Sequence, residues 1–149
     1  MTAIFVDADA CPVKEEVYRV AERHAVRVYV VANAPMRVPE SALVELVVVS
    51  DAFDAADDWI VEHVTGKDVV VTDDIPLASR CLKKGTQAIS PKGRIFTDAS
   101  IGDALATREM LSQLRDHGLV SGGPAPFQQK DRSRFLQRLD TMVRAALVE

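Results

Sequence analysis

The sequence predicts an α/β fold, a three-layer sandwich with a mainly parallel central sheet and a C-terminal helix. Short apolar runs alternate with longer segments of helical pattern, which is typical of βαβ units. The runs carry apolar residues on both faces, as strands of a parallel sheet do when helices cover both sides. The chain has 149 residues, the size of one compact domain, so we expect a single domain over residues 1–149.

The order of elements follows from these runs. Strands are predicted at Ala3–Val6, Val28–Val31, Leu46–Val49 and Val69–Val71, with a weaker fifth at Ala88–Ile89. Helices are predicted near residues 12–24, 54–65, 74–84 and 100–116, followed by a loop over 121–132 and a final helix. Gly66, Gly85 and Gly118 stand where three of the helices should end. Gly and Pro mark the loop, and Phe135 and Leu139 recur at helical spacing in the final helix.

Composition indicates a cytoplasmic protein without a membrane partner. No apolar run approaches the ~20 residues of a membrane span, and the N-terminus lacks the basic region of a signal peptide. The two cysteines, Cys11 and Cys81, form no CxxC pair, and the three histidines show no zinc-ligand spacing. Oligomeric state is not predicted by these features.

Charge is unevenly distributed along the chain. The formal net charge is −4, yet residues 1–75 carry 6 Lys and Arg against 15 Asp and Glu, and residues 76–149 carry 12 against 7. An acidic half beside a basic half fits a metal site next to an anion-binding surface. Ordinary surface variation is the alternative, since position in sequence is not position in space.

Two aspartates directly follow the first apolar run. Asp7 and Asp9 stand between the strand and a helix whose first turn is marked by Pro12. They should therefore lie at the carboxyl edge of the sheet, where open α/β folds bind ligands. The alternative for Asp9 is a helix cap.

A second acidic cluster opens the next helix. Asp54 and Asp57 have the spacing of a capping pair, which is one reading of Asp54. Asp57 shares a helical stripe with Ile60 and Val64 and should point toward the sheet, whereas Asp58 should face water.

A third cluster, Asp73–Asp74, again follows an apolar strand. Clustered carboxylates repel one another, and oxygen ligands of this kind suit a hard cation. The sequence therefore predicts a Mg²⁺ or Mn²⁺ site, whose expected ligands are Asp7, Asp9, Asp57, Asp73 and Asp74, with Asp7 and Asp73 as catalytic residues.

Two classes of metal-dependent hydrolase use such carboxylates. The stretch FVDADA resembles the signature of haloacid-dehalogenase-type phosphatases, with Asp7 as nucleophile and Asp9 as acid/base; Ser50, Lys67 and Asp73–Asp74 would fill the other roles. However, a helix follows Pro12 at once and leaves no room for the flap of those enzymes. The second class is the PIN-like nuclease, in which the metal activates a water for phosphodiester hydrolysis.

The chain also resembles the YaiI/YqxD family of bacterial proteins, which is grouped with PIN-like domains by fold. The similarity runs nearly end to end through IFVDADACPVK, VANAPMRVP, FDAADDWIVEHV, VTDDIPLA, SPKGR and SGGP followed by DR-x-x-F. This resemblance implies that Asp7, Asp57 and Asp73 match the metal-binding positions of PIN-like proteins. Asp98 is the only candidate for a fourth acid.

The same motifs point to substrate-binding residues. Asn33 and Arg37 follow the second strand, and Lys92 and Arg94 lie in SPKGR. Arg and Lys beside a metal site suit contacts to phosphate, with an ordinary surface loop as the alternative. RNA or DNA is the expected partner, and a non-catalytic domain that binds nucleic acid or a phosphate ligand is the third functional class.

Overall fold

The computed structural model describes residues 1–9, 11–103, 105–107 and 126–148 and shows five parallel strands in one sheet. The strands are β1 (Ala3–Asp7), β2 (Arg27–Ala32), β3 (Val44–Val48), β4 (Val69–Val71) and β5 (Gln87–Ile89). The helices are α1 (Lys14–His24), α2 (Ala55–His63), α3 (Ile75–Lys83) and the C-terminal helix (Gln129–Leu147). The predicted α/β class is confirmed.

The sheet has the strand order β3-β2-β1-β4-β5. The chain builds outward from β1 through β2 to β3, then returns to the other side of β1 and adds β4 and β5. The order therefore reverses between β1 and β4, and crevices at such a point are the usual ligand sites of open α/β sheets.

Helices cover both faces of the sheet, giving three layers. Alternate residues of β1 point to opposite sides: Ile4 and Val6 pack with α1 and the C-terminal helix, whereas Phe5 packs with α2 and α3. All three side chains are at most 3% exposed. Each fully buried apolar side chain of this size contributes about 1.5–3 kcal/mol relative to its exposed state.

A buried carboxylate ties α1 to the C-terminal helix. Asp140 accepts hydrogen bonds from Arg23 (3.1 Å) and Arg144 (2.6 Å), and His24 Nε2 lies 2.7 Å from the same carboxylate. The hydrogen bond with His24 and the one with Arg23 lower the pKa of Asp140 despite the opposing effect of burial. This network fixes the helix that carries the basic residues described below.

Several predicted boundaries differ from the structure by one or two residues, and the larger differences lie in β3 and the C-terminal part of the chain. β3 begins two residues early and is half-exposed because it is an edge strand, not a strand buried on both faces. The C-terminal helix begins at Gln129, inside the predicted 121–132 loop, because Gln128 and Asp131 form a capping box. Residues 98–103 and 105–107 are helical; the rest of the predicted 100–116 helix, Gly118 and residues 121–125 lie outside the described residues.

No helix within the described part of the chain is both long enough and apolar enough to span a membrane.

Candidate active site

Carboxylates from three parts of the chain meet in one open cleft of about 320 Å³ at the carboxyl edge of the sheet. We call it the acidic cleft. It is lined by Asp7, Asp9, Asn33, Asp54, Asp57, Asp73 and Asp74, together with Ala55 and Ala56. Because β1 and β4 are neighbours, the residues that follow them reach the same crevice, and all five predicted metal ligands lie in it.

A threonine hydroxyl links the ends of β1 and β4. Asp7 is the last residue of β1, and its Oδ2 accepts a 2.9 Å hydrogen bond from Thr72 Oγ1. The same hydroxyl accepts a 3.0 Å hydrogen bond from the backbone N–H of Asp74. Thr72 is 1% exposed, so it positions two of the acidic residues from beneath the cleft.

Burial raises the pKa of Asp7. The hydrogen bond from Thr72 opposes that shift, and the charges of Asp9 and Asp74 add to it. Since a raised carboxyl pKa means that the ionised form is disfavoured, the cleft holds negative charge at a cost to the folded protein.

Asp57 lies in the first turn of α2 and is half-buried, whereas its neighbour Asp58 is exposed and pairs with Arg80 at 2.9 Å. Helical periodicity predicted this difference in orientation. Burial raises the pKa of Asp57 to about 6, and the charges of Asp74, Asp7 and Asp54 contribute. Asp57 therefore shares the electrostatic field of the acids that follow β1 and β4.

The capping interpretation of Asp54 is wrong. Asp54 occupies the N-cap position of α2, but its side chain makes no capping hydrogen bond with any described residue. Its backbone is left-handed, with φ 62°, so its carboxylate is not placed over the helix N–H groups as in a β-region cap. Asp tolerates this conformation better than most residues, and its side chain lines the acidic cleft instead.

The other acids occupy distinct positions around the cleft. Asp74 caps α3, since its Oδ1 accepts a 3.1 Å hydrogen bond from Leu77 N. Asp73 is exposed at the rim. Asp9 is exposed too, and it does not cap α1, because that helix starts at Lys14 with Val13 at the N-cap position. Pro12 therefore precedes the helix instead of lying in its first turn.

The predicted metal would meet carboxylate oxygens in the acidic cleft. Carboxylate oxygens suit Mg²⁺ or Mn²⁺, and the charges of neighbouring acids add to the effect of burial in raising the pKa values of Asp7 and Asp57. Among the described residues, however, no group of three or more His, Cys, Asp or Glu side chains is arranged to hold one ion. Mg²⁺ commonly binds through one or two carboxylates plus water and substrate phosphate, a mode that needs fewer protein ligands than such a group supplies.

The predicted substrate-binding residues separate into three locations. Asn33 lines the acidic cleft, where its Nδ2 donates a 3.0 Å hydrogen bond to Ser50 O and joins the loops after β2 and β3. Lys92 and Arg94 line a second cleft. Arg37 is exposed, and within the described part of the chain it lines neither cleft; the same holds for Asp98 at the start of helical residues 98–103.

The second cleft, of about 590 Å³, adjoins the first, because Asp73 lines both. We call it the basic cleft, after its four cationic side chains: Lys92, Arg94, Arg134 and Arg138. The sequence pattern of the C-terminal helix does not by itself assign Arg134 and Arg138 to a site. Their spacing of four places them on one face of the helix, but only the packing of that helix against the SPKGR turn shows which face this is.

The similarity to known proteins covers nearly the whole chain. Residues 5–145 match the family described as "Uncharacterized BCR, YaiI/YqxD family". A UPF0178 protein of Rhodospirillum centenum is 56% identical over 149 residues, covering 97% of each chain. A UPF0178 protein of Brucella ovis is 59% identical over 141 residues, covering 94% of this chain and 88% of its own. No solved structure matches the chain.

Proposed function

Since the chain belongs to the YaiI/YqxD family, and the names of the matched relatives state no reaction, we propose a function on the basis of the two clefts. That function is Mg²⁺- or Mn²⁺-dependent hydrolysis of phosphodiesters, with RNA or DNA as the substrate class. The PIN-like relationship implied by the sequence motifs belongs to the same proposal.

The observation that supports this proposal most strongly is the pairing of opposite charges across Asp73. Six carboxylates line the acidic cleft, so an anionic substrate is repelled from it unless a cation is present. Four cationic side chains line the neighbouring cleft and attract the same anion. A divalent cation held by the carboxylates would offset their negative charge and so admit a phosphate ester that the basic side chains attract.

The chain's own residues supply binding and orientation. Asp7 and Asp57 would hold the cation, with Asp74 and Asp9 adding negative charge around it; Thr72 keeps Asp7 in its orientation through the 2.9 Å hydrogen bond. When bound, Mg²⁺ or Mn²⁺ lowers the pKa of a water and stabilises charge on the phosphate. Asp73, exposed at the junction of the clefts, would accept a proton from the attacking water.

The haloacid-dehalogenase-like alternative receives less support. Its required lysine was assigned to Lys67, which precedes β4 and therefore lies at the amino edge of the sheet, opposite Asp7. Ser50 is exposed beyond β3, and its hydroxyl accepts a 3.3 Å hydrogen bond from Ala52 N instead of facing the acidic cleft. A phosphoaspartate mechanism would need both groups near Asp7.

Hydrolysis of bis(p-nitrophenyl) phosphate, a minimal phosphodiester, tests the proposal. We expect turnover with Mn²⁺, none in EDTA, and none with Asp7→Asn, while Asp58→Asn should retain turnover because that residue is exposed and faces away from the cleft. Absence of metal-dependent turnover on this substrate and on single-stranded RNA and DNA would contradict the enzyme and favour the non-catalytic binding domain. Turnover of p-nitrophenyl phosphate with trapped phospho-Asp7 would favour the phosphatase.

A further inference from the structure

The basic cleft is built from two segments that are far apart in sequence. The first is the turn Ser90–Arg94 after β5. It is closed by Gly93 N, which donates to Ser90 O (2.9 Å), and by Arg94 N, which donates to Ser90 Oγ (3.1 Å). The second is the exposed face of the C-terminal helix that carries Arg134 and Arg138.

The two segments are held together at a glycine. Gly93 has φ +87°, and a Cβ there would lie 2.9 Å from both Arg134 Cγ and Phe135 N. Arg138 Nη1 also donates a 2.8 Å hydrogen bond to Gly93 O. The turn and the helix therefore touch through backbone, which fixes Arg94 on the turn relative to the two helix arginines.

The arginines keep donors for a ligand despite their internal contacts. Arg134 approaches Asp131 at 3.7 Å, and Arg138 uses Nη1 for Gly93. A guanidinium has five N–H donors, so each retains several, in the fork geometry that matches phosphate. Arg94 is exposed at the mouth of the cleft.

The cleft offers charge more than a stacking surface. Its only aromatic side chain among the described lining residues, Phe96, is 5% exposed and packs in the core. Recognition would therefore act on phosphates and be insensitive to base sequence. A nucleic-acid strand has regularly repeated phosphates and can place one at each cleft. An acidic peptide, in contrast, would make no favourable contact with the carboxylates of the adjacent acidic cleft.

We propose that the basic cleft, through Arg94, Arg134 and Arg138, binds the phosphates of a single nucleic-acid strand adjacent to the phosphate that lies in the acidic cleft. Only the phosphate in the acidic cleft rests on the proposed function; the binding of a strand by the basic cleft does not. It deepens that function by assigning the neighbouring phosphates of the strand to Arg94, Arg134 and Arg138.

The experiment measures binding apart from turnover. Fluorescence anisotropy with a labelled single-stranded DNA, in Ca²⁺ to screen the carboxylates, compares wild type with Arg94→Gln, Arg134→Gln and the double variant. Arg27→Gln is the matched control, since Arg27 is exposed at the amino end of β2, on the opposite edge of the sheet. Each cleft variant should weaken binding by roughly fivefold or more and lower the salt slope by about 0.7, the value for one phosphate contact to a single strand.

Turnover separates this inference from the proposed function. Arg134→Gln should slow the cleavage of an oligonucleotide, through a higher KM, by a larger factor than it slows the cleavage of bis(p-nitrophenyl) phosphate. Retained DNA binding without any turnover would overturn the proposed function and leave the basic cleft supported. Equal DNA binding by Arg27→Gln and the double variant would overturn the inference, and so would equally tight binding of a polyglutamate peptide.

Discussion

Thr72 Oγ1 donates a 2.9 Å hydrogen bond to Asp7 Oδ2 and accepts one of 3.0 Å from Asp74 N, so a single buried hydroxyl links the acids that follow β1 and β4. Without it, Asp7 would lose a partner that favours its ionised form, and the N–H of Asp74 would lose an acceptor. The arrangement of the acids in the cleft therefore depends on an uncharged residue, Thr72.

Thr72→Val should accordingly destabilise the protein by about 1–3 kcal/mol, the cost of leaving buried polar groups unpaired. The loss should be larger at pH 7 than at pH 4, because the hydrogen bond lowers the pKa of Asp7 and so stabilises its ionised form. Urea denaturation at the two pH values measures this. Thr72→Ser keeps the hydroxyl and should lose less; an equal loss in both variants would show that the methyl group matters more than the hydrogen bond.

Asp57→Asn should stabilise the metal-free protein at pH 7.5. Burial and the neighbouring acids raise the folded pKa of Asp57 from 3.8 to about 6. A carboxyl group with a raised pKa contributes stability that is fully present below its pKa in the unfolded protein. That stability is lost as the pH rises through its pKa in the folded protein. The gain of the variant should therefore be absent near pH 4 and reach its full size above pH 6, in melting curves recorded with EDTA.

Asp58→Asn is the control for that measurement. Asp58 is exposed and pairs with Arg80, an arrangement worth about 0–1 kcal/mol, so its loss should be neutral or slightly destabilising at pH 7.5. A similar gain from both substitutions would mean that general negative charge, and not the acidic cleft, limits stability.

Gly93→Ala should destabilise the fold and open the basic cleft. The left-handed backbone costs an alanine about 1 kcal/mol or more, and forced repacking against Arg134 and Phe135 adds about 1–3 kcal/mol. Gly66→Ala is the matched control, since its Cβ would have only an ordinary 3.9 Å contact with Gly85 O. Thermal melts should separate the two variants clearly; equal melting temperatures would contradict the close approach of turn and helix.

The fold and most of the acidic cleft follow from local pattern. The repeated order of an apolar strand, an aspartate and a helix places Asp7 and Asp73–Asp74 at one edge of a parallel sheet. Helical periodicity orients Asp57. Asp54 could not be assigned in this way, because its left-handed backbone has no signature in the sequence. Arg134 and Arg138 were missed for a different reason: their neighbours are set by the contact of the C-terminal helix with Gly93, some 40 residues earlier in the chain.

The most direct test of the central claim, that the acidic cleft holds a divalent cation, is the melting temperature with and without Mn²⁺. Wild type should gain about 2.7 kcal/mol at a Mn²⁺ concentration one hundred times the dissociation constant. Asp7→Asn should start at least as stable as wild type in EDTA and gain much less from Mn²⁺, while Asp58→Asn should respond as wild type does. Equal Mn²⁺ responses in wild type and Asp7→Asn, or no response in either, would contradict the account.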